Sequence, residues 1–363
     1  MSYSRDQYNN QYGGYPQNGR MMPKRKKKRR IWPFILLVLL LLIGAAAVFV
    51  LVKFAKIQRN DIPKEDLVIN TNLDPAELKN MSGYTNIAFF GVDSREGSLS
   101  SGANSDTIMI CSINNKTKEI KLASVYRDSY LDNTQGGYQK ATEVYSIGGP
   151  KQSLNMLNKN LDLNLSDYIT VDFQALVEAV DLLGGVDIEL TEGEVQWLNG
   201  YLVEGREVVG KETPDVPGPG MQHLNGMQAL AYSRIRYIGL DYERTERQRK
   251  VLEQLMQKAK TTDLLTLNKA IDTILPMVLT SLSNTEILKL ATGISGYNMG
   301  ETTGFPMDKD TADIPSAGDC VVPKNLANNV VQLHQFLFSG ESYTPSATVQ
   351  EISNQIINNT GIQ

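Results

Sequence analysis

Short apolar runs in the first half of the chain predict strands. Residues 85–92 (TNIAFFGV) and 107–113 (TIMICSI) are apolar and are bounded by polar residues, as buried strands usually are. Residues 119–125 (EIKLASV) alternate in polarity and follow the turn sequence NNKTK, which predicts a hairpin with the preceding run. Residues 186–190 (VDIEL) predict a further strand.

Apolar residues at helical spacing occur between and after these strands. They predict helices at 150–161, 173–183, 225–232 and 263–290. The clearest helix is predicted at 241–260, where an apolar stripe follows one face and Asp241 stands in the first turn. Residues 210–220 are rich in glycine and proline and predict a loop, and residues 233–237 are expected to be extended.

A charge-free apolar run stands near the N-terminus. Residues 31–52 would span roughly 33 Å as a helix, enough to cross a bilayer core, and they end without a clear small-residue cleavage site. Because the basic residues 24–30 precede this run, the positive-inside rule predicts a single-pass membrane anchor with a cytoplasmic N-terminus and an extracellular remainder. Nucleic-acid binding is an alternative reason for the basic run, but contact with anionic lipid explains it more simply.

The anchor divides the chain into segments of different character. The residues before it are rich in Tyr, Asn and Gln, and two prolines interrupt any long helix that would follow it. The predicted segments are a basic, disordered cytoplasmic tail at 1–30, a transmembrane helix at 31–52, a stalk linker at 53–83, one large extracellular domain at 84–340 and a polar C-terminal tail at 341–363.

Charge is unevenly distributed along the 363 residues, whose formal net charge is −4. Residues 1–30 hold nine Lys/Arg and one acid, which leaves 27 basic and 39 acidic residues, a net of −12, after them. Such an acidic domain argues against nucleic-acid binding, which needs a net basic face. No CxxC or close His/Cys set is present, which argues against zinc, while Cys111 and Cys320 could be two buried thiols or a disulfide.

The predicted strands bring charged residues to one edge of a sheet. A hairpin returns the chain to the end where it began, so Asp106 before its first strand should meet Arg127 and Asp128 after its second. If the strand at 85–92 is antiparallel to its neighbour, Asp93 and Arg95 arrive at the same edge. Two carboxylates there could hold Mg²⁺, which prefers oxygen ligands and usually keeps several waters.

Further arginines follow later in the chain. Arg234 and Arg236 alternate along the predicted extended segment, so both should point to one side. Arg244 and Gln248 are four residues apart on the predicted helix and share a face, with Arg247 beside them. Because the guanidinium group matches phosphate oxygens two at a time, such a cluster predicts a pyrophosphate site.

Each of these features also has an ordinary structural explanation. Arginines at 244–249 could form the solvated face of a helix. Asp93 and Asp106 could cap turns, and the Arg127–Asp128 pair could be a surface ion pair of little energetic weight.

Six sequence blocks, in order over roughly residues 84–260, change this balance. The blocks are 86–95 (NIAFFGVDSR), 105–107 (SDT), 124–128 (SVYRD), 183–186 (LGGV), 224–236 (LNGMQALAYSRIR) and 241–248 (DYERTERQ). Through them the chain resembles the LytR-CpsA-Psr family of cell-wall glycopolymer ligases. Two positions depart from the family pattern: Asn104 replaces an arginine and Tyr126 replaces a proline. Both departures concern substrate preference more than reaction type.

The resemblance implies an α/β fold, a three-layer α-β-α sandwich with a mixed central sheet, which holds a polyprenyl tail in an apolar tunnel. It implies Mg²⁺, with Mn²⁺ as an alternative ion, bound by Asp93 and Asp106. The implied pyrophosphate ligands are Arg127, Arg234, Arg236 and Arg244, with Gln248 beside them. The remaining matches, whose roles are less defined, are Asp128 and Asp241, together with Arg95 and Arg247 as further candidate pyrophosphate ligands.

The implied activity is a phosphotransferase at a Gram-positive cell surface. It would move a glycopolymer, such as teichoic acid or capsule, from undecaprenyl pyrophosphate to peptidoglycan. Arg127 would be catalytic, with Asp128 and Asp241 as candidates for removing the acceptor proton. The alternatives are a polyprenyl-pyrophosphate hydrolase with the same site, a membrane-bound transcriptional attenuator and a non-catalytic wall-binding scaffold.

Overall fold

The computed structural model describes residues 52–94, 98–209, 211–339 and 343–363. The predicted cytoplasmic tail, nearly all of the predicted transmembrane helix and Arg95 lie outside the described residues. Within these ranges no helix is both long enough and apolar enough to cross a bilayer.

The described chain contains both strands and helices. The strands are β1 Gln58–Arg59, β2 Tyr84–Val92, β3 Ser105–Asn114, β4 Glu119–Val125, β5 Tyr130–Asp132, β6 Tyr138–Lys140, β7 Asp167–Asp172, β8 Val186–Leu190, β9 Gly220–Leu224, β10 Val278–Thr280, β11 Asn298–Phe305, β12 Lys309–Ile314 and β13 Gly318–Pro323. The helices are α1 Pro75–Met81, α2 Ala141–Leu161, α3 Phe173–Leu182, α4 Glu192–Val209, α5 Gly226–Arg234, α6 Leu240–Thr261, α7 Leu264–Ile274, α8 Asn284–Thr292, α9 Leu326–Phe338 and α10 Ala347–Thr360.

Seven of these strands form a mixed central sheet in the order β1-β10-β7-β2-β3-β4-β11. β3 is antiparallel to both β2 and β4, whereas β2 is parallel to β7 and β4 is parallel to β11. The hairpin predicted from the alternating pattern is therefore confirmed. The expected mixed sheet within an α/β fold is confirmed as well.

Helices cover both faces of this sheet because β3 is apolar on both sides. Ile108 and Ile110 belong to a core cluster that includes residues of α2, α9 and α10. Cys111 and Ile113 belong to a separate cluster, against which Met256 of α6 packs. Cys111 is a buried free thiol, as is Cys320, so the disulfide alternative is wrong.

The single helix expected at 263–290 is wrong, because a strand interrupts it. β10 pairs with β7, with Val278 opposite Val171 and Thr280 opposite Ile169. The Asp263 side chain caps α7, and Ser283 forms a capping box at the start of α8. Sheet pairing thus decides the structure of three residues between two well-capped helices.

Both ends of the described chain are packed more closely than the sequence suggested. The predicted stalk at 53–83 supplies strand β1 and places Leu67 and Met81 in the main core cluster. In the predicted polar tail, α10 buries Val349 and Ile356 completely. These two residues are seven positions apart and share one helix face, so a sparse apolar stripe is enough to dock the helix.

Candidate functional site

Charged residues converge at one edge of the central sheet, where β2 ends, β3 begins and β4 ends. Val92 lies opposite Ser105, and the next backbone N–H, that of Asp93, donates to the Asn104 carbonyl at 3.4 Å. The structure therefore brings Asp93 next to the start of β3. The loop after β4 carries Arg127 and Asp128 to the same edge.

A β-bulge turns Asp106 toward the site. Gly91 lies opposite Thr107 and Val92 opposite Ser105, so β3 carries one extra residue at this point. Strict alternation would send Asp106 and Thr107 to opposite faces of the sheet, yet both line the same cavity. The strands approach so closely here that a Cβ atom on Gly91 would lie 2.9 Å from the Thr107 Cβ.

Arg127 joins three carboxylates. Its Nη1 donates to the Asp106 carboxylate, and its backbone N–H donates to Asp241 Oδ2 at 3.0 Å. Its Nε lies 3.6 Å from Asp128 Oδ2. Burial lowers the pKa of Arg127, but the charges of Asp106 and Asp128 raise it by a larger amount. The net pKa of Arg127 is therefore above its ordinary value.

The carboxyl group of Asp128 has a pKa above its ordinary value. Burial raises its pKa, as does the neighbouring charge of Asp241, while Arg127 and Lys140 oppose this shift without cancelling it. Lys140 Nζ lies 3.8 Å from Asp128 Oδ1. Asp128 is therefore a better proton acceptor than an ordinary aspartate, since basicity increases with pKa.

Helix α6 supplies the other side of the site. Arg244 Nη1 lies 3.3 Å from Asp241 Oδ1, one helical turn earlier, and Arg244 Nη2 donates to the carbonyl of Asp106. Both side chains are more than nine-tenths buried. The helix face predicted from the spacing of Arg244 and Gln248 therefore faces the sheet edge rather than solvent.

Several buried polar atoms at this edge form no hydrogen bond within the described ranges. They include Arg127 Nε, Arg236 Nη2 and Arg244 Nε, together with Gln248 Oε1. Buried polar groups in folded proteins are nearly always satisfied, and guanidinium groups match phosphate oxygens. Three guanidinium nitrogens with unmet donor capacity thus favour an anionic, oxygen-rich ligand such as a pyrophosphate.

These side chains stand at one end of a cavity of about 190 Å³ between the sheet and helices α3, α5 and α6. The apolar lining residues are Phe89, Phe90, Met109, Val171, Phe173, Leu176, Leu230, Val251 and Leu252. The polar end contains Arg127, Arg236 and Arg244. The cavity therefore suits a molecule with an apolar chain and an anionic head group.

Arg234 and Arg236 both line the cavity, although the extended segment expected at 233–237 is wrong for its first residues. Helix α5 continues to Arg234 and ends there, with a capping box at Asn225. The Arg234 guanidinium stacks over Phe173, with 5.1 Å between its Cζ atom and the ring centroid. Arg234 thus reaches the cavity from the end of a helix.

Arg247 does not line the cavity, so the pyrophosphate role predicted for it does not fit. Its Nε donates to Glu194 Oε1 at 2.9 Å and its Nη2 to Glu243 Oε2 at 2.8 Å. Its Nη1 donates to the carbonyls of Ile235 and Ile238, each at 3.2 Å. Through these contacts Arg247 links α4 and α6 to the residues that follow α5.

Asp93 and Asp106 offer oxygen donors that fit Mg²⁺. Asp106 lies in β3 and Asp93 directly follows β2, both next to the bulge, and both are partly exposed. Mg²⁺ is commonly bound by one or two carboxylates together with water and phosphate oxygens. Across the described residues no group of three or more His, Cys, Asp or Glu side chains is placed to hold a metal ion.

Two residues near the site were missed from the sequence. Asp172 lines the cavity and caps α3 by accepting from the Ala175 N–H at 2.8 Å. An aspartate directly before a helical pattern was the available signal. Tyr201 of α4 also lines the cavity, but its helix was not predicted.

Comparisons with known proteins agree with this architecture. The model of the LytR_cpsA_psr family matches residues 51–317. The chain is 30% identical over 177 residues to the polyisoprenyl-teichoic acid–peptidoglycan teichoic acid transferase TagU of Enterococcus faecalis, which covers 47% of this chain and 52% of that protein. It is 28% identical over 301 residues to the TagU transferase of Oceanobacillus iheyensis, which covers 77% and 86%, respectively.

A solved structure shares the fold. The family protein YwtF (TagT) with bound octaprenyl pyrophosphate lipid superposes with a TM-score of 0.50 at 20% identity, covering 78% of this chain and 92% of that one. The chain spans only about half the length of the Enterococcus faecalis protein and of another curated relative, biofilm regulatory protein A of Streptococcus mutans. The family model nevertheless covers most of the chain, which therefore belongs to the LytR_cpsA_psr family.

Proposed function

We propose that this protein is a phosphotransferase that moves a glycopolymer from a polyprenyl pyrophosphate carrier, such as undecaprenyl pyrophosphate, to peptidoglycan. The observation that carries the proposal is the amphipathic cavity with unmet guanidinium donors at its polar end. Related proteins named teichoic acid transferases support the reaction type, and a relative with a bound octaprenyl pyrophosphate supports the class of carrier.

The arginines would act on the phosphoryl groups. Arg127, Arg236 and Arg244 would bind the pyrophosphate oxygens and stabilise the charge that develops on the leaving phosphate. The acceptor hydroxyl oxygen forms a bond to the phosphorus atom next to the sugar, and the bridging P–O bond breaks. Polyprenyl phosphate then leaves, and the hydroxyl proton passes to a protein carboxylate.

Asp93 and Asp106 are the residues that would hold Mg²⁺, or Mn²⁺ in its place. When bound, the ion would neutralise part of the negative charge of the pyrophosphate. The Asp106 carboxylate also accepts from Arg127, so this residue would link the ion to the arginine cluster.

The cellular arrangement is part of the same proposal. The apolar, charge-free residues 31–52 after the basic residues 24–30 support a single-pass membrane protein with its N-terminus in the cytoplasm and its catalytic domain outside the cell. Two reporters fused to the C-terminus test this orientation, one that is active only inside the cell and one that is active only after export. Activity of the reporter that works only inside the cell would contradict it.

The reaction is tested with the full chain in lipid nanodiscs, Mg²⁺, a synthetic polyprenyl pyrophosphate saccharide and peptidoglycan oligosaccharides. Mass spectrometry should detect a saccharide phosphate joined to the oligosaccharide, and Arg236→Gln should reduce its formation at least tenfold. Lys250→Gln, which changes a solvent-facing cation on α6, is the matched control. Cleaved carrier without the adduct would identify a hydrolase instead.

A further inference from the structure

A second cavity, of about 370 Å³, adjoins the same arginine cluster. It lies between the start of α6, the loop after β4 and the β12–β13 hairpin. Its lining residues are Asp128, Arg236, Asp241, Tyr242, Thr311, Ala312, Asp313, Asp319, Cys320 and Val321. Among the described residues that line either cavity, Arg236 is the one that lines both.

The carboxylates of the site are divided between the two cavities. Asp106 lines the first cavity, whereas Asp128 and Asp241 line the second. Asp241 is only 8% exposed, and its Oδ1, which is 3.3 Å from Arg244 Nη1, forms no hydrogen bond within the described part of the chain. A buried carboxylate oxygen that accepts no hydrogen bond indicates a ligand that donates one.

The β12–β13 hairpin contributes charges that do not stabilise the fold. Asp313 lies directly opposite Asp319 in the strand ladder, and both are exposed. Like charges directly opposite each other destabilise a strand pair. The hairpin is nevertheless fastened to the site, because the Val321 N–H donates to the Asp128 carbonyl at 2.9 Å.

The geometry of displacement at phosphorus relates the two cavities. The attacking and leaving oxygens lie roughly in line, on opposite sides of the phosphorus atom. If the apolar cavity holds the polyprenyl chain of the leaving group, the acceptor must approach from the other side of the arginine cluster. The second cavity opens onto that cluster through Arg236.

Building on the proposed function, we propose that the second cavity is the acceptor subsite, which binds a hydroxyl-rich peptidoglycan sugar, and that Asp128 is the group that accepts the proton of the attacking hydroxyl. Asp241 is engaged by the Arg127 backbone N–H and by Arg244, whereas Asp128 has ion pairs no shorter than 3.6 Å. The raised pKa of Asp128 agrees with this role.

The lining of the second cavity also suits a glycan better than the donor polymer. Carboxylates accept hydrogen bonds from sugar hydroxyls, and the Tyr242 side chain adds an aromatic ring to the lining. A polymer rich in phosphate would be repelled by the four aspartates. The same charges would therefore keep an anionic donor chain out of the acceptor path.

Two variants separate acceptor binding from catalysis. The double variant Asp313→Asn with Asp319→Asn should raise the acceptor KM about tenfold and leave the donor Kd unchanged. It also removes a repulsion, so loss of folding is not expected. Asp128→Asn should lower kcat on the order of a hundredfold, the usual scale of general-base catalysis, without changing the donor Kd.

Asp308→Asn is the control, because Asp308 is an exposed aspartate directly before β12. Its backbone carbonyl accepts a hydrogen bond from the Lys324 N–H, and the residue lines neither cavity. An unchanged acceptor KM in the double variant, or a weakened donor Kd, would overturn the subsite assignment. Unchanged kcat in the Asp128 variant would overturn its role as the base.

Binding of a soluble peptidoglycan oligosaccharide, measured by calorimetry with the donor bound, separates this inference from the proposed function. Binding that the double variant weakens supports the subsite even if no transfer occurs, and the proposed function would then be the part that fails. Binding that the double variant leaves unchanged counts against the subsite, whether or not transfer is observed.

Discussion

Replacing Arg247 by methionine is expected to destabilise the fold while leaving the affinity for a polyprenyl pyrophosphate nearly unchanged. The side chain is 3% exposed and its guanidinium binds two carboxylates and two carbonyls. Its partner Glu194 is 8% exposed, so the substitution would leave a buried carboxylate without its counter-charge.

The magnitude follows from these contacts. Removing one partner of a buried ion pair costs about 3–5 kcal/mol because the other charge stays buried. The contact with Glu243 adds little, because that side chain is half exposed. The carbonyls of Ile235 and Ile238 would lose donors, worth about 1 kcal/mol each before water replaces them. A loss of about 4 kcal/mol in the free energy of unfolding is therefore expected.

Urea unfolding of the full chain in detergent, followed by tryptophan fluorescence, measures this loss, and a fluorescent polyprenyl pyrophosphate measures binding. In the double variant Glu194→Gln with Arg247→Met, both charges are gone, so the loss should be smaller than in the single variant. If Arg247→Met is as stable as the wild type within about 0.5 kcal/mol and binds the lipid at least tenfold more weakly, Arg247 is a lipid ligand and not a structural residue.

Three further predictions concern the stability of the fold. Burial lowers the pKa of His334 from 6.5 to about 4, so between these pH values the unfolded chain binds more protons than the folded chain. The free energy of unfolding should therefore fall by up to about 3 kcal/mol as the pH drops through this window. If the urea midpoint of His334→Gln depends on pH as steeply as that of the wild type, this prediction is wrong. Gly91→Ala should lower the melting temperature, because the added Cβ would lie 2.9 Å from the Thr107 Cβ and this overlap costs about 1–3 kcal/mol in the free energy of unfolding. An unchanged melting temperature would show that β2 and β3 can move apart enough to accommodate the methyl group. Ile356→Ala should cost about 2–5 kcal/mol in urea unfolding because this side chain is fully buried; a cost below about 0.5 kcal/mol would mean that α10 is not part of the core.

Periodicity revealed β2, β3 and β4 of the central sheet, because their signal is local, but it did not reveal β7 or β11 beside them. β4 has the predicted bounds, and β2 and β3 differ from prediction by at most two residues at each end. Strand order could be inferred only within the hairpin. The short strand β10 has three residues, too few for a periodic pattern, and it exists through its pairing with β7.

The roles of neighbouring residues on α6 could not be separated from the sequence. Arg244 and Arg247 are one helical turn apart and belong to the same sequence block. Arg244 contacts the edge of β3, whereas Arg247 contacts Glu194, which lies 53 positions earlier in the chain. The distinction depends on the packing of α4, a helix that the sequence pattern did not reveal.

By itself, the sequence determined the strands β2, β3 and β4, the hairpin that gathers Asp106, Arg127 and Asp128, and the family, because alternation and motif order are properties of short segments. Tertiary structure alone decided the bulge that turns Asp106 into the cavity and the hairpin that forms a second cavity beside Asp128. It also decided which arginines have unmet donors. These features depend on contacts between residues far apart in the chain, and no local pattern specifies which distant partner a side chain will meet.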